Sequence, residues 1–385
     1  MPERIYLDWN ATTPLRPEAK AAMVAAWDIS GNPSSVHTEG RKARRLVEDA
    51  RAAIATAVSA RPQDVVFCSG GTEANMLTLT PGLRRGSGLP AQRLLVSSIE
   101  HASVIAGGRF PAGAIGTIRV TRSGLVDLDH LRDLLGGGPP ALVSVMLANN
   151  ETGAIQPVAE VADIVHTAGG LLHVDAIQAF GKIPVDLQTI QADLLTLSAH
   201  KIGGPKGVGA VVLAEEVQGV EPLLRGGGQE LGRRAGTENV AGISAFGAAV
   251  NAAMAGLEGD ASRIQGLRDR LEDGLGQTAD MIVFSEDVQR LPNTVLFTVP
   301  GLKAETAVIG FDLDGIAVSS GSACSSGKVQ PSHVLAAMGY GRELAQGAVR
   351  LSLGWSTSEA DVDLALKAWR KLANTLLRGE RRNTA

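Results

Sequence analysis

From residue 64 onward, short apolar runs alternate with amphipathic stretches. "DVVFCSG" leads into "GTEANMLTL", "RLLVSS" into a short helical turn, and "ALVSVMLAN" into "PVAEVADIVHTAG"; "LLHVDA", "ADLLTLS" and "GVGAVVL" follow. Runs this short and continuously apolar read as strands buried on both faces, and the stretches between them as covering helices. The pattern predicts an α/β fold whose large domain holds a mostly parallel sheet covered by helices. Such a sheet takes its ligand at the carboxyl ends of the strands. From about residue 239 the pattern changes to two longer helices, "NVAGISAFGAAVNAAMAGL" and "ASRIQGLRDRLEDGLGQ". Strands near 281–284, 293–298 and 348–353 then alternate with helices, closing on "EADVDLALKAWRKLANTLL". This reads as a smaller α+β C-terminal domain. The division expected is residues 1–15 as an N-terminal segment packing with the small domain, 16–258 as the large domain and 259–385 as the small one.

Composition narrows the function classes. The chain has 385 residues, 44% hydrophobic and 20% charged, ordinary for a globular protein with a sizeable core. A net charge of -4 gives no electrostatic reason to expect nucleic acid or an anionic membrane surface. The N-terminus "MPERIYLDWNATTP" lacks a basic region followed by an apolar run, and no window is expected to reach the roughly 20 apolar residues of a membrane helix. A cytoplasmic location is expected. Two cysteines, Cys68 and Cys324, are too few for a disulfide framework or a structural zinc site. The seven histidines show no metal-ligand spacing, so no intrinsic metal is expected.

The polar residues that interrupt the apolar runs fall just after strand ends. "LLTLSAHKIGGPKGVGA" presents Ser198, His200 and Lys201 before a glycine–proline bend. Lys201 reads either as a solvated loop residue or as an amine that desolvation can bring to its neutral, nucleophilic form. "CSGGTEAN" puts Gly71 and Thr72 at a helix start, as an anion cradle or as a plain cap. His101 follows another strand in "SSIEHASV", Asn149, Asn150 and Glu151 another in "ANNETG", and Asp175 and Gln178 another in "HVDAIQA". A carboxylate in so apolar a run as Asp175 calls for a cationic partner. A Schiff-base lysine, a carboxylate for a pyridinium nitrogen and a phosphate cradle are what pyridoxal 5'-phosphate requires. "GSACSSGKV" and "GGGQELG" have the wrong spacing for a P-loop or a dinucleotide fingerprint. Cys324 stands among small residues in "SSGSACSSGK", where a thiol is accessible, whereas Cys68 in "VVFCSG" reads as a core thiol.

On "YLDWNATTP", "GNPSSVHTEGRKAR", "SGGTEAN", "EHASV", "NNETGAIQPV", "HVDAIQ", "SAHKIGGPKGVG", "GGGQELGRRAGTEN", "SSGSACSSG" and "VRLSLG", in that order, the chain resembles the cysteine desulfurases of the NifS/IscS type. These belong to the class V aminotransferase-like, fold-type I pyridoxal-phosphate enzymes. The resemblance implies that Lys201 holds the cofactor aldehyde, Asp175 pairs with the ring nitrogen, His101 stacks on the ring and Gln178 bonds its phenolic oxygen. Gly71, Thr72, Ser198 and His200 would bind the phosphate, joined by Thr237 from the second subunit of a homodimer. Asn150 and Arg350 would hold the carboxylate of L-cysteine. Cys324 would take the sulfur as a persulfide, releasing L-alanine, and pass it to an iron–sulfur scaffold or another sulfur acceptor. A cluster shared transiently between that persulfide and a scaffold is the one metal contact implied.

Three positions depart from the family pattern: Trp9, Cys68 and Leu231. The resemblance does not extend to the longer C-terminal tail with which the housekeeping branch docks its scaffold, and no such tail is expected, which leaves the acceptor open. The alternatives are a selenocysteine lyase or aminotransferase of the same fold, and a sulfur-carrier protein, which would need the thiol but neither Lys201 nor Asp175.

Overall fold

The computed structural model describes residues 4–321 and 331–376, together with the backbone of 324–325 and 328–329. Seven apolar runs form one sheet: β1 (Val65–Cys68), β2 (Arg93–Ser97), β3 (Ile115–Ile118), β4 (Ala141–Met146), β5 (Leu171–Asp175), β6 (Leu194–Ser198) and β7 (Gly209–Leu213). Their order is β1-β7-β6-β5-β4-β2-β3, and within this sheet β7 runs against both its neighbours while the other pairs are parallel. The carboxyl ends of β1, β2, β4, β5 and β6 therefore share one edge.

Both faces of the sheet are covered, which is why its central strands carry no polar alternation. One face packs on α2 (Thr38–Ala57), α4 (Leu128–Leu135), α5 (Val158–Thr167) and the first half of α6 (Val240–Leu275), with Phe246 and Val250 in that core. The other face buries Ala74 and Leu77 of α3 (Gly71–Thr78) together with Val104 and Phe110. The edge strand β3, in "GAIGTIRV", was not expected from the sequence; it is only half-buried and lacks a continuous apolar run.

A second core lies around the strands β8 (Ile282–Val283), β9 (Thr294–Thr298), β10 (Ser319–Ser320) and β11 (Val349–Ser352), in the order β8-β9-β11-β10, all antiparallel. It buries Phe297, Phe311 and Trp369 with the C-terminal helix α7 (Glu359–Leu376). The chain start belongs to this core. Ile5 and Tyr6 pair in parallel with Ile316 and Ala317, and Leu7 is fully buried there.

Two expectations need correction. The two long helices are one, the 36-residue α6. Glycines at 256 and 259 lower helix propensity there, but the helix runs on because each half buries an apolar face, Phe246 and Val250 in the first core, Leu267 and Leu271 in the second. The expected boundary at 258 falls inside it. The same helix also contains an 18-residue window long and apolar enough to cross a membrane by length and composition. Half of that window is buried inside the protein, where α6 packs on α2 and on α1 (Pro17–Trp27).

Candidate active site

At the shared strand edge lies a cleft of about 430 Å³ lined by Gly71, Thr72, His101, Asn150, Glu151, Asp175, Gln178, Ser198, His200, Lys201 and Arg350. Each of these ends an apolar strand or follows one in a short segment, except Arg350, which comes from β11 of the second core.

Asp175 ends β5, where its register partners are Met146 and Thr196. It is buried, accepts from Asn75 Nδ2 at 2.9 Å and from the Ile177 N–H at 3.0 Å, and burial pushes its carboxyl pKa up. Asn75 is itself held by Thr196, whose hydroxyl donates to Asn75 Oδ1 at 2.8 Å. Deeper still, Glu100 is fully buried: Oε1 accepts from the Met146 N–H at 2.7 Å, and Oε2 has no partner among the described residues. Its pKa is raised well above the usual carboxylate range by burial and then by Asp175.

Lys201 follows β6 in a single turn of tight helix, Ala199–Lys201. Its amine donates to the carbonyls of Asn10 and, at 2.8 Å, Ala11. Burial, then the Arg350 guanidinium, lowers its pKa to about 8. His200 is lowered to about 4 by burial and by neighbouring lysines, and its Nδ1 lies 3.1 Å from Thr12 Oγ1. His101 caps the turn Ala102–Ile105 with Nδ1, which accepts from the Ser103 N–H at 3.2 Å, while its ring stays open to the cleft. Burial keeps its pKa below the ordinary value.

The start of α3 supplies backbone N–H groups beside Thr72. Gly70 has φ 148°, a conformation open to glycine, and a Cβ on Gly209 would sit 2.7 Å from the Gly70 backbone. Helix and sheet therefore approach more closely than side chains would permit. Arg350 Nη1 donates to the Asn150 carbonyl at 3.0 Å and Nη2 to Asp8 Oδ1 at 2.7 Å, while Nε is buried without a partner among the described residues. Glu151 Oε2 accepts from the Ser332 hydroxyl at 2.5 Å, and burial raises its pKa to about 7.

One expected residue is not in this cleft. Thr237 lines a separate cavity of about 120 Å³ with Cys68 and Arg234. Its loop is docked on the large domain by Arg234 Nε on Glu73 Oε1 at 3.0 Å and by the bidentate, buried Arg51–Glu230 pair. The Cys324 side chain lies outside the described residues; its backbone, at Cys324–Ser325, pairs antiparallel with Lys328–Val329, after Gly321, which does line the cleft. Cys68 is buried, and burial pushes its thiol up to about 12, so it is inert at neutral pH. Asn10, Asn75 and Lys182 are site residues that the sequence did not single out. Lys182, whose pKa burial holds well below its ordinary value, donates to Gln178 Oε1 at 2.7 Å. Its one sequence signal was its position four residues after Gln178.

The family model for class V aminotransferases matches residues 5–365. A cysteine desulfurase of Cereibacter sphaeroides is 42% identical over 373 residues, covering 95% of this chain and 94% of that protein. The solved NifS-like protein of Rickettsia africae superposes with a TM-score of 0.87 at 37% identity, over 97% of this chain and all of its own. SspA, solved in complex with cysteine, superposes with a TM-score of 0.74 at 29% identity, over 91% of this chain and 98% of its own. The chain belongs to the class V aminotransferase family and, within it, to the cysteine desulfurases of the NifS/IscS type.

Proposed function

We propose that this protein is a pyridoxal-phosphate-dependent cysteine desulfurase that takes the sulfur of L-cysteine and leaves L-alanine. The observation that carries the reading is the convergence of Lys201, Asp175 and Arg350 on one cleft. The residues fit the cofactor. Asp175 is a buried carboxylate whose hydrogen-bond donors are neutral amides, so a protonated ring nitrogen supplies the cation it lacks. The N–H groups at the start of α3, with Thr72, Ser198 and His200, suit a phosphate, and His101 and Gln178 lie at the same cleft for the ring face and its phenolic oxygen. When bound, the group supplies an aldehyde that captures an amine and a ring that accepts electrons from the α-carbon.

The protein's own groups then have distinct tasks. Lys201 Nζ holds the aldehyde between turnovers and, once freed, carries the α-proton, a role suited to an amine with a pKa near 8. Arg350 and Asn150 hold the substrate carboxylate; the Arg350 Nε, without a partner among the described residues, is a donor for it. The Cys324 thiolate takes the sulfur: the substrate Cβ–S bond breaks, an S–S bond forms, and the carbon keeps the electron pair and gains a proton. The products are a Cys324 persulfide and L-alanine, with no outside oxidant or reductant. The persulfide is handed to an iron–sulfur scaffold or another sulfur acceptor in the cytoplasm. The protein works as a homodimer in which Thr237 of each copy reaches the phosphate held by the other, consistent with its place outside the cleft of its own chain.

Purified protein should be yellow, and Lys201→Ala should lose both the covalently held cofactor and turnover. A Lys201→Ala protein that desulfurates cysteine at the wild-type rate would overturn the reading.

A further inference from the structure

Asn10 lies where the two cores meet, 1% exposed, on the N-terminal segment. Its side chain is fully engaged on both sides of the junction. Nδ2 donates to the Asn150 carbonyl at 3.1 Å and to Thr294 Oγ1 at 2.9 Å; Oδ1 accepts from Asn293 Nδ2 at 3.0 Å and from Lys182 Nζ at 3.2 Å. Its backbone N–H donates to Ser352 Oγ at 3.0 Å. What remains is its carbonyl, which accepts from Lys201 Nζ and from Gln178 Nε2 at 2.8 Å. The next carbonyl, of Ala11, takes a second Lys201 hydrogen at 2.8 Å.

A lysine amine in a largely enclosed cleft costs free energy unless its hydrogens are accepted. Asp175 and Asp8 act on Lys201 through space, but its hydrogen-bond acceptors are these two carbonyls. The backbone on either side of Asn10 is bonded, Trp9 N–H to the Ser352 carbonyl at 3.4 Å and Thr13 N–H to the His200 carbonyl at 2.9 Å, but no ladder among the described residues fixes the direction of the Asn10 carbonyl itself. Here the side chain of the same residue does so, through four hydrogen bonds to partners drawn from both cores. We propose that Asn10 is the positioning residue of Lys201: it pins the segment so that the Asn10 and Ala11 carbonyls form a cradle in which the amine rests whenever it is not bonded to the cofactor. The cradle returns the amine to one place in every turnover. It rests on the reading of Lys201 as the cofactor lysine, and adds to it a second, non-catalytic determinant of that lysine's behaviour.

The test uses full-length protein stripped of cofactor, matching the state in which the amine is free. Acetic anhydride is applied at fixed pH, and modification at Lys201 is read by mass spectrometry, with the exposed Lys206 as internal control. Asn10→Ala should raise Lys201 modification about fivefold, the factor carried by one lost hydrogen bond, and leave Lys206 unchanged. Thr294→Val, which removes one anchor and keeps the volume, should raise it less but in the same direction, and stands in if Asn10→Ala does not fold. In the cofactor-loaded Thr294→Val enzyme kcat should fall while KM for L-cysteine stays within about twofold, because the Thr294 hydroxyl bonds Asn10 and Asn293 rather than Asn150 or Arg350. Unchanged Lys201 modification in Thr294→Val and in any folded Asn10→Ala protein would overturn the proposal. A parallel rise at Lys206 would do so too, by showing general loosening. The labelling result is independent of turnover, so a catalytically competent Lys201→Ala protein would defeat the functional reading while leaving the cradle standing or falling on its own data.

Discussion

Lys201 has the chemistry of a lysine tuned by its surroundings. Burial and the Arg350 guanidinium bring its pKa down to about 8, and Asp8 and Asp175 oppose the shift. The neutral amine is the form that attacks an aldehyde, so on the proposed reading its fraction sets the rate of cofactor capture. Protein stripped of cofactor should therefore take it up about tenfold faster per pH unit below 8 and level off above it, followed by absorbance after stopped-flow mixing. A rise that continues unbroken to pH 10 would mean an ordinary lysine. The candidate lysine and Asp175 were legible in the sequence because each is polar at the end of an apolar run, where burial and chemistry coincide. Asn10, Asn75 and Lys182 were not, because their tasks are defined by partners remote in the chain: Asn10 meets Ser352, 342 positions away. Arg350 entered through family resemblance, and nothing local to "AVRLSLG" points to its carbonyl and carboxylate partners.

At the scale of elements, the parallel strands were readable because continuous apolar runs leave little alternative, whereas the half-buried edge strand β3 has no such run. Helix α6 was misread as two for the opposite reason: local propensity dips at its glycines, but packing against both cores decides. Its glycines are not equivalent. A Cβ at Gly247 would come within 2.7 Å of the Ala50 backbone on α2, while one at Gly259 would meet nothing within 4 Å. Gly247→Val should cost about 1–3 kcal/mol in urea unfolding by forcing the two helices apart. The same change at Gly259 should cost much less; equal effects would contradict the close approach. A similar constraint holds the N-terminal segment, since a Cβ at Gly354 would overlap the Trp9 indole. Trp9, one of the departures from the family pattern, is thus packed against a glycine that makes room for it.

Across the whole molecule, the first core brings Asp175, Lys201 and the α3 start to the cleft, and the second brings Arg350 and the segment leading to Cys324. Asn10 and α6 tie the two together. On the proposed reading, the first core holds the cofactor, and the second supplies Arg350 for the substrate and the cysteine that receives its sulfur. The central claim is that Cys324 receives it. The most direct test mixes pure protein with L-cysteine and a reductant, following sulfide and alanine together, with Cys324→Ala alongside. Cys68, buried and with its thiol raised to about 12, cannot substitute as nucleophile. Equal amounts of sulfide and alanine from the wild type, and neither above background from Cys324→Ala despite retained yellow cofactor, is the predicted result. Wild-type sulfide release by Cys324→Ala, or amino-group transfer without sulfide by the unmodified protein, would contradict it.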